Sequence, residues 1–235
     1  MISITNLNFS YGGVKAITNV SMQFKPRHIT CVMGRNGVGK TTLMRNIVGL
    51  LRADSGQIML KGSKGDRVIT RLAASKRAKL GIGYVPQGRM IFPKLTVEEN
   101  LKVGLQARAD GRKRIPNEIY DLFPILRDFL SRKGGDLSGG QQQQLAMARA
   151  MVGDPKVLIL DEPTEGIQPN IIQRIGEVLT QLVTDHGMTV VLVEQYVDFV
   201  RDFGHRFYIM NRGQVVSEGG TAELTAQLVH QHLSV

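Results

Sequence analysis

Residues 34–41 read Gly-Arg-Asn-Gly-Val-Gly-Lys-Thr, and this stretch decides the fold. It matches G-x-x-x-x-G-K-[ST], a pattern in which glycines let backbone N–H groups wrap around phosphate oxygens. An apolar run, His28–Met33, precedes it, and a segment of helical pattern, Thr41–Leu51, follows it. A strand that enters the loop and a helix that leaves it make the pattern specific. We therefore predict a phosphate-binding loop in an α/β protein, the alternative being a glycine-rich turn that happens to carry Lys and Thr.

The loop residues have separate predicted roles in holding a nucleoside triphosphate. The side chain of Lys40 reaches the β- and γ-phosphates, and the Thr41 hydroxyl is a ligand for Mg²⁺. The helix that begins here adds the positive end of its dipole. We therefore predict ATP and Mg²⁺ as the bound groups. The predicted phosphate contacts come from Gly34, Arg35, Asn36, Gly37, Val38, Gly39, Lys40, Thr41 and Thr42.

A second apolar run, Val157–Leu160, ends in two adjacent acids, Asp161 and Glu162. Neighbouring residues on a strand point to opposite faces, so the two carboxylates have different roles. We assign Asp161 to binding Mg²⁺ through water, and Glu162 to polarising the water that attacks the γ-phosphate. The alternative interpretation is a pair of solvated acids at a strand end, before Pro163.

Short apolar runs alternate with segments of helical period along the chain, which is typical of a buried parallel sheet in an α/β core. Alternating polar and apolar residues near both termini predict antiparallel strands around glycine-bearing turns. The predicted parallel strands are His28–Met33, Ile82–Pro86, Val157–Leu160 and Thr189–Val193. The predicted antiparallel pairs are Ile2–Phe9 with Ile17–Phe24, around Tyr11–Gly13, and Arg206–Met210 with Gln214–Ser217.

The pattern between Pro86 and Lys156 is helical throughout, with capping-box spacings that begin at Thr96 and Ser138. We therefore predict a single domain over residues 1–235. Its α/β core is formed by residues 1–87 and 153–235, and a helical lobe is inserted at residues 88–152.

The formal net charge of +10 is compatible with nucleic acid, a membrane surface or acidic small molecules as partners. Basic residues concentrate in Arg67–Lys79 and Arg108–Arg114, and we interpret both stretches as solvated faces of surface helices. Only 6% of the residues are aromatic and none is Trp, which disfavours a groove that stacks nucleic-acid bases.

The sequence also predicts a cytoplasmic protein. No apolar run approaches the roughly 18–20 residues that cross a bilayer. The first residues, Met1–Ile4, alternate like a strand and lack the basic-then-apolar build of a secretory signal. The single cysteine, Cys31, lies in an apolar run, and we predict that it is a small core residue.

Residues Leu137–Gln141 read Leu-Ser-Gly-Gly-Gln, shortly before the acidic strand end. With the phosphate loop and the two acids, this motif makes the chain resemble the ABC ATPase family over essentially its whole length. A helix start at Ser138 is itself an anion site. The resemblance implies that this site faces the γ-phosphate bound by an opposite subunit, so that two chains enclose two nucleotides. The residues implied in this contact are Ser138, Gly139, Gly140 and Gln141.

The resemblance also implies roles for single residues. Tyr11 is similar to the aromatic residue that stacks on adenine, the alternative being a core-facing strand tyrosine. Gln87 is similar to the glutamine that touches Mg²⁺ and the attacking water, the alternative being a polar loop residue. Gln195 replaces the usual switch histidine, and its amide can hydrogen-bond a γ-phosphate but cannot become a cation. Gln168 stands where many members have a dimer-contacting aspartate.

Two segments, Tyr84–Arg89 and Val193–Gln195, are similar to ATPases of branched-chain amino-acid and urea importers. Within that group, the phosphate loop, Gln141–Gln144 and Glu165–Pro169 favour a urea importer ATPase. The alternatives are a branched-chain amino-acid importer ATPase, an exporter subunit, a soluble ABC ATPase that acts in DNA repair or on the ribosome, and a non-catalytic regulatory cassette. The sequence itself contains nothing that contacts a transported solute.

The resemblance implies an assembly on the cytoplasmic face of the plasma membrane. Its expected members are two permease chains, a second and different ATPase chain, and indirectly a solute-binding protein, with no nucleic acid. A homodimer is expected to be possible in isolation. The family receives a short permease helix in a groove near Gln87, to which Met90–Pro93 would contribute apolar surface. The alternative is ordinary packing of those residues inside the lobe.

Overall fold

The computed structural model describes residues 1–62 and 65–233, which form two β-sheets surrounded by helices. The strands are β1 (Ile2–Tyr11), β2 (Val14–Phe24), β3 (Ile29–Met33), β4 (Ser55–Leu60), β5 (Arg67–Val68), β6 (Ile82–Val85), β7 (Val157–Asp161), β8 (Thr189–Val193), β9 (Arg206–Asn211) and β10 (Gln214–Gly220). The helices are α1 (Lys40–Val48), α2 (Ala74–Lys79), α3 (Val97–Gly104), α4 (Glu118–Leu122), α5 (Gly139–Val152), α6 (Pro169–Thr184), α7 (Val197–Phe203) and α8 (Ala226–His232).

The larger sheet has the strand order β10-β9-β3-β8-β7-β6 and positions the candidate site. All of its neighbouring pairs are parallel except β9 with β10. Every residue of β3, β7 and β8 is buried, as expected for apolar runs covered on both faces. The predicted α/β class and the predicted strands of this sheet are confirmed. The carboxyl ends of the parallel strands share one edge, so the chain segments that follow these strands meet there.

The smaller sheet is antiparallel, with the order β2-β1-β4-β5. The predicted flank, β1 with β2, is confirmed, but β4 and β5 were not predicted. Only Ile58 of β4 is buried, and Gly56 has a φ of 89°. A strand with one buried side chain shows no alternation, and β5 is two residues long. Cys31 on β3 is fully buried, as predicted.

The segment between β6 and β7 contains α3, α4 and α5. The two predicted capping boxes are present: the Thr96 hydroxyl accepts the Glu99 N–H at 3.2 Å, and the Ser138 hydroxyl accepts the Gln141 N–H at 3.4 Å. The prediction of a wholly helical segment is wrong for residues 87–95 and 108–117, which are irregular. The domain boundaries at residues 88 and 152 stay a prediction.

The interpretation of the basic stretches as solvated helix faces is wrong in part, because residues 108–114 are irregular, Arg67 lies on β5, and two of the arginines are buried. Arg77 is only 2% exposed, and its guanidinium donates to backbone carbonyls at the carboxyl end of α1, where cations are favourable. Burial lowers the pKa of Arg77 to about 10. Arg108 is 9% exposed, donates to the carbonyl of Val152 and pairs with Asp110. The carbonyls that accept from Arg77 belong to Asn46, Ile47, Thr70 and Leu72.

Over the residues that the structure describes, none of the helices is both long and apolar enough to cross a membrane.

Candidate nucleotide site

The loop from residue 34 to residue 39 joins β3 to α1 and requires glycine at two places. Gly39 has a φ of 106°, and a Cβ atom there would lie 2.6 Å from the carbonyl oxygen of Ala16. Gly34 has a φ of 144°, and its Cβ atom would overlap the carbonyl oxygen of Met210. Side chains at these positions would therefore push the loop away from both neighbouring segments. Gly37, with a φ of 79°, faces open space.

Lys40, the first residue of α1, is folded back into the loop. Its Nζ donates to the carbonyls of Gly34, at 2.6 Å, and Arg35, at 2.9 Å. The same atom lies 3.8 Å from Oε1 of Glu162. Burial lowers the pKa of Lys40, and Glu162 and Asp161 oppose that shift. The loop thus concentrates a cation and backbone amides at the end of β3, which is the chemistry of a phosphate site.

The two acids at the end of β7 do lie in different surroundings. Oδ1 of Asp161 accepts the Thr41 hydroxyl at 3.3 Å, and Oδ2 accepts the Tyr84 hydroxyl at 3.4 Å. Burial raises the pKa of Asp161, and the hydrogen bond from Thr41 opposes the shift. Glu162 has a φ of 50°, a conformation that non-glycine residues rarely adopt, and it leaves the sheet at that point.

Two glutamines from separate loops hold the carboxylate of Glu162. Nε2 of Gln87, after β6, donates to Oε2 at 2.9 Å, and Nε2 of Gln195, after β8, donates to Oε1 at 2.6 Å. The Gln195 amide also donates to Oδ1 of Asn36 in the phosphate loop, at 2.8 Å. The structure therefore brings together three residues that are remote in sequence and were singled out separately: Gln87, Glu162 and Gln195.

These side chains border a cavity of about 730 Å³ at the carboxyl edge of the large sheet. Tyr11 stands at its rim with 47% of its surface exposed, so it is not the core-facing tyrosine of the alternative interpretation. Its ring packs edge-on against Phe9 at 4.8 Å, and its hydroxyl lies 3.5 Å from Oγ1 of Thr42. The predicted residues that line this cavity are Tyr11, Asn36, Gly37, Gly39, Lys40, Thr41, Thr42, Gln87, Glu162 and Gln195.

Other predicted residues lie outside this cavity. Asp161 borders a neighbouring cavity of about 710 Å³ that also touches Thr41 and Gln87. Gly34 and Arg35 contribute the carbonyls that hold Lys40, and Val38 packs against the apolar core. The signature residues Ser138–Gln141 do not line the cavity either. Within one chain these residues therefore do not reach this cavity.

Several residues that line the cavity were not predicted from the sequence. Thr164 and Glu165 follow the acidic strand end, and Glu194 and Tyr196 flank Gln195. Their positions directly after β7 and β8 were the available signal, since the carboxyl ends of parallel strands collect functional side chains. Val14–Ala16, at the start of β2, gave no such signal.

A sequence model of the family described as "ABC transporter" matches residues 17–165, more than half of the chain. The chain is 39% identical over 226 residues to a probable branched-chain amino-acid transport ATP-binding protein, LivF, of Archaeoglobus fulgidus, covering 95% of this chain and 94% of the relative. It is 37% identical to the high-affinity branched-chain amino-acid transport ATP-binding protein BraG of Pseudomonas aeruginosa, over 96% of this chain and 95% of the relative.

Solved structures show the same fold. A nucleotide-free ATP-binding cassette from an ABC transporter superposes with a TM-score of 0.81 at 27% identity, covering all of this chain and 95% of the other. A cassette solved as a dimer in a post-hydrolysis state, bound to ADP and Pi, gives a TM-score of 0.81 at 25% identity, over 94% of this chain and 99% of the other.

Proposed function

The chain belongs to the ABC transporter family of ATP-binding cassettes, and on that premise we propose that it is the ATP-hydrolysing subunit of an importer. The observation that carries this proposal is the convergence on Glu162 of Lys40, Gln87 and Gln195, which come from different segments of one sheet edge. A cation, a carboxylate and two amide donors around one cavity are what hydrolysis of a phosphoanhydride needs.

In this proposal each residue acts on ATP or on water. Lys40 exchanges the carbonyls of Gly34 and Arg35 for phosphate oxygens, and the N–H groups of the loop bind the same phosphates. Tyr11 stacks on the adenine. Glu162 orients the attacking water and accepts its proton, while Gln87 and Gln195 fix the carboxylate. Gln195 also stands close enough to the phosphate loop, through Asn36, to donate to the γ-phosphate.

The residues present fit a magnesium ion. Thr41 and Asp161 offer hard oxygen ligands 3.3 Å apart, and the Gln87 amide oxygen is a further candidate. Within residues 1–62 and 65–233, no group of three or more His, Cys, Asp or Glu could hold a metal ion. Phosphate and water oxygens would complete the coordination, as is usual for Mg²⁺. When bound, the ion neutralises charge on the phosphates.

The signature helix α5 is proposed to act on a second subunit. Ser138–Gln141 lie outside the chain's own cavity, and a helix start is an anion site. We infer that they complete the nucleotide site of a partner ATPase, and the relative solved as a dimer supports that arrangement. In the cell we expect the partner to be a second, different ATPase chain.

A permease partner is proposed at the neighbouring cavity of about 710 Å³. Its walls include Leu50, Leu51, Pro86 and Met90. Leu50 is 59% exposed and Met90 61%, so this apolar surface is unpartnered in the chain alone. That exposure favours docking of a permease helix over ordinary packing within the lobe. Such docking would hold the chain on the cytoplasmic face of the membrane.

Two transported solutes are proposed. Urea follows from the motif resemblance, and branched-chain amino acids are favoured by the names of the LivF and BraG relatives. The test is a tagged pull-down from native membranes in mild detergent, followed by uptake assays with both solutes. Recovery of two multi-span proteins and a second ATPase supports the importer. Recovery with ribosomes, with DNA or alone contradicts it.

The nucleotide site has its own test, which does not depend on the partners. We expect Lys40→Ala to weaken binding of MgATP by about 10-fold or more, since a charge-assisted contact to phosphate is lost. Calorimetry on the purified chain measures this. Undiminished affinity would contradict the phosphate-site assignment and leave the pull-down result standing.

A further inference from the structure

Glu194 is a buried acid directly after β8, with 2% of its surface exposed. No role was assigned to it from the sequence. Among the ion pairs of the described residues, none includes it. A buried carboxylate costs free energy unless hydrogen bonds compensate for its lost hydration. Its partners therefore indicate what it does.

The two oxygens of Glu194 hold two different loops. Oε1 accepts the N–H of Thr164, at 3.2 Å, and the Thr164 hydroxyl. Oε2 accepts the N–H groups of Gln195, at 2.8 Å, and Tyr196, at 3.1 Å. All four partner groups are donors, and an ionised carboxylate only accepts, so each of the two oxygens accepts two hydrogen bonds.

The two loops that Glu194 joins are those that meet at Glu162. Thr164 lies two residues after Glu162, and the side chain of Gln195 donates to Glu162 at 2.6 Å. A shift of Gln195 relative to Thr164 would therefore turn the Glu162 carboxylate. Small displacements of a group that orients a reactant reduce rates by large factors.

We propose that Glu194 is a positioning residue, which holds the 164 loop and the 195 loop in register so that Gln195 fixes Glu162 for hydrolysis. This inference rests on the proposed ATPase function. It adds a residue that borders the cavity, but whose two carboxylate oxygens accept from Thr164, Gln195 and Tyr196, so that it acts through Gln195.

The test is Glu194→Gln in the purified full chain. A glutamine has one acceptor oxygen in place of two, so it cannot accept from both loops at once. We expect kcat for ATP hydrolysis to fall by about 10- to 100-fold at saturating MgATP, with the Kd for ATP unchanged within about threefold. The phosphate loop, which Glu194 does not contact by hydrogen bonds, retains its binding contacts.

A double-mutant cycle distinguishes positioning from general structural support. If Glu194 acts through Gln195, adding Glu194→Gln to Gln195→Ala lowers kcat by no more than about twofold further. Multiplying effects in the double variant would overturn the proposal. The same holds if wild-type chain hydrolyses ATP and Glu194→Gln does so at an unchanged rate.

A matched control removes an equivalent buried contact elsewhere. The hydroxyl of Thr70 accepts the buried N–H of Ile58 at 2.8 Å, so Thr70→Val leaves one backbone donor unpaired away from the cavity. We expect Thr70→Val to lower the melting temperature but not kcat. An equal loss of kcat in this control would show that Glu194 matters only for stability, which overturns the proposal.

A milder variant keeps the test open if Glu194→Gln does not fold. Thr164→Val removes one of the four donors to Glu194 and should lower kcat by a smaller factor, whereas Thr164→Ser keeps the hydroxyl and should restore it. Absence of any loss in Thr164→Val, with Glu194→Gln unfolded, would contradict the proposal. If wild-type chain binds no ATP, the proposed function itself fails, and that outcome is distinct from failure of a variant alone.

Discussion

Two loops beside the candidate nucleotide cavity are each hydrogen-bonded to a charged side chain, and the two side chains have opposite charge. The loop at residues 194–196 is held by the Glu194 carboxylate, which accepts backbone N–H groups. In the loop at residues 87–92, Nη2 of Arg149, on α5, donates to the carbonyl of Met90 at 2.7 Å, and the Asn100 amide pairs with both backbone groups of Phe92. The guanidinium of Arg149 also lies 5.1 Å from the ring centroid of Phe92.

The two loops differ in their backbone strain and in how completely the charged side chain that contacts them is hydrogen-bonded. Glu194 has donors on both oxygens, and its loop contains no residue with a positive φ. In the other loop Gly88, Arg89 and Met90 follow one another with φ values of 73°, 68° and 45°. A left-handed non-glycine residue costs roughly 1–2 kcal/mol. Nη1 of Arg149 is buried and has no hydrogen-bond partner among the described residues.

The comparison indicates a division of labour at the site. A loop without backbone strain, contacted by a fully hydrogen-bonded side chain, is expected to keep a fixed geometry. A loop with strained residues, contacted by an arginine that has one unpaired donor, is expected to change its conformation more readily. Gln195 lies on the first loop and Gln87 on the second, and both donate to Glu162. We infer that the 194–196 loop serves the chemistry, and that the 87–92 loop relays motion towards the lobe and the proposed docking cavity.

The largest expected effect is at the residue where the loops converge. We expect Glu162→Gln to lower ATP hydrolysis by about 10²- to 10⁴-fold, because it removes the base that accepts a proton from water. Binding of MgATP should be retained. Phosphate release by the purified chain and calorimetry measure the two quantities. Glu177→Gln, an exposed acid on α6, is the control and should hydrolyse ATP normally.

The assignment of Glu162 has a clear contradiction. If hydrolysis persists in Glu162→Gln, Glu162 is not the catalytic base. Gln87 and Gln195 would then not be orienting a catalytic base. Loss of ATP binding in the same variant would indicate that Glu162 mainly balances the charge of Lys40, from which it lies 3.8 Å away.

The second effect tests the contact between Arg149 and the 87–92 loop. We expect Arg149→Met to lower the free energy of unfolding by about 2 kcal/mol, because the hydrogen bond from a charged group to the Met90 carbonyl is lost. Basal ATP hydrolysis should stay within about twofold of wild type, unlike in Glu194→Gln. Urea denaturation and a phosphate-release assay measure these quantities.

A matched control for Arg149 is Arg132, whose guanidinium lies 5.3 Å from the Phe129 ring centroid on the lobe surface. An exposed contact of this type contributes about 0.5–1 kcal/mol, so Arg132→Met should cost less than Arg149→Met. Equal losses would mean that Arg149 contributes only its stacking. A large loss of basal hydrolysis in Arg149→Met would contradict the inference that the two loops have different functions.

The sequence carried most of the fold because the decisive signals are local. The phosphate loop, the apolar runs and the capping boxes at Thr96 and Ser138 each occupy a few consecutive residues. The order of these segments then restricts an α/β chain to few topologies. Residues 108–117 misled because helical spacing on either side does not reveal where a helix ends.

The supports of the site could not be predicted in the same way. Glu194 meets Thr164 thirty residues away in sequence, and Arg149 meets Met90 at a separation of 59. Arg77 likewise reaches back to α1 across 30 residues or more. Each is a polar residue that a composition argument assigns to the surface. Only the tertiary arrangement shows that its partners are backbone groups at loop and helix ends.

A smaller effect tests the strain in the 87–92 loop directly. We expect Met90→Asn to raise the free energy of unfolding by about 0.5 kcal/mol, because asparagine tolerates the left-handed conformation better than methionine. Met90→Ala is the matched control, since it removes the same exposed side chain but keeps the unfavourable φ. Capture of the permease should fall in both variants if the apolar side chain docks it.

The comparison would be weakened if both Met90 variants had equal stability. Strain would then not be stored at this residue, and the 87–92 loop would be no better suited to a change of shape than the 194–196 loop. Urea denaturation of the three proteins in parallel resolves the difference.

The smallest expected effect is on the pH dependence of stability, and it concerns His205 at the opposite edge of the large sheet. Nδ1 of His205 accepts the Ile29 N–H at 3.2 Å, and the ring of His28 lies 5.3 Å away between centroids. Burial, and then the neighbouring His28, lower the pKa of His205 from its ordinary value of 6.5. A protonated Nδ1 cannot accept a hydrogen bond, so the folded chain favours the neutral ring.

The sign of the pH dependence follows from that preference. Below about pH 6.5 the unfolded chain binds the proton more readily than the folded chain, so this contribution to stability is complete above that pH and is lost as pH falls towards the lowered pKa. His205→Asn keeps an acceptor near the Ile29 N–H and does not titrate, so its urea midpoint should fall less between pH 8 and pH 5.5 than that of wild type. His230→Asn, on exposed α8, should behave as wild type. An equal fall of the urea midpoint in His205→Asn would show that other groups cause the loss of stability at acid pH.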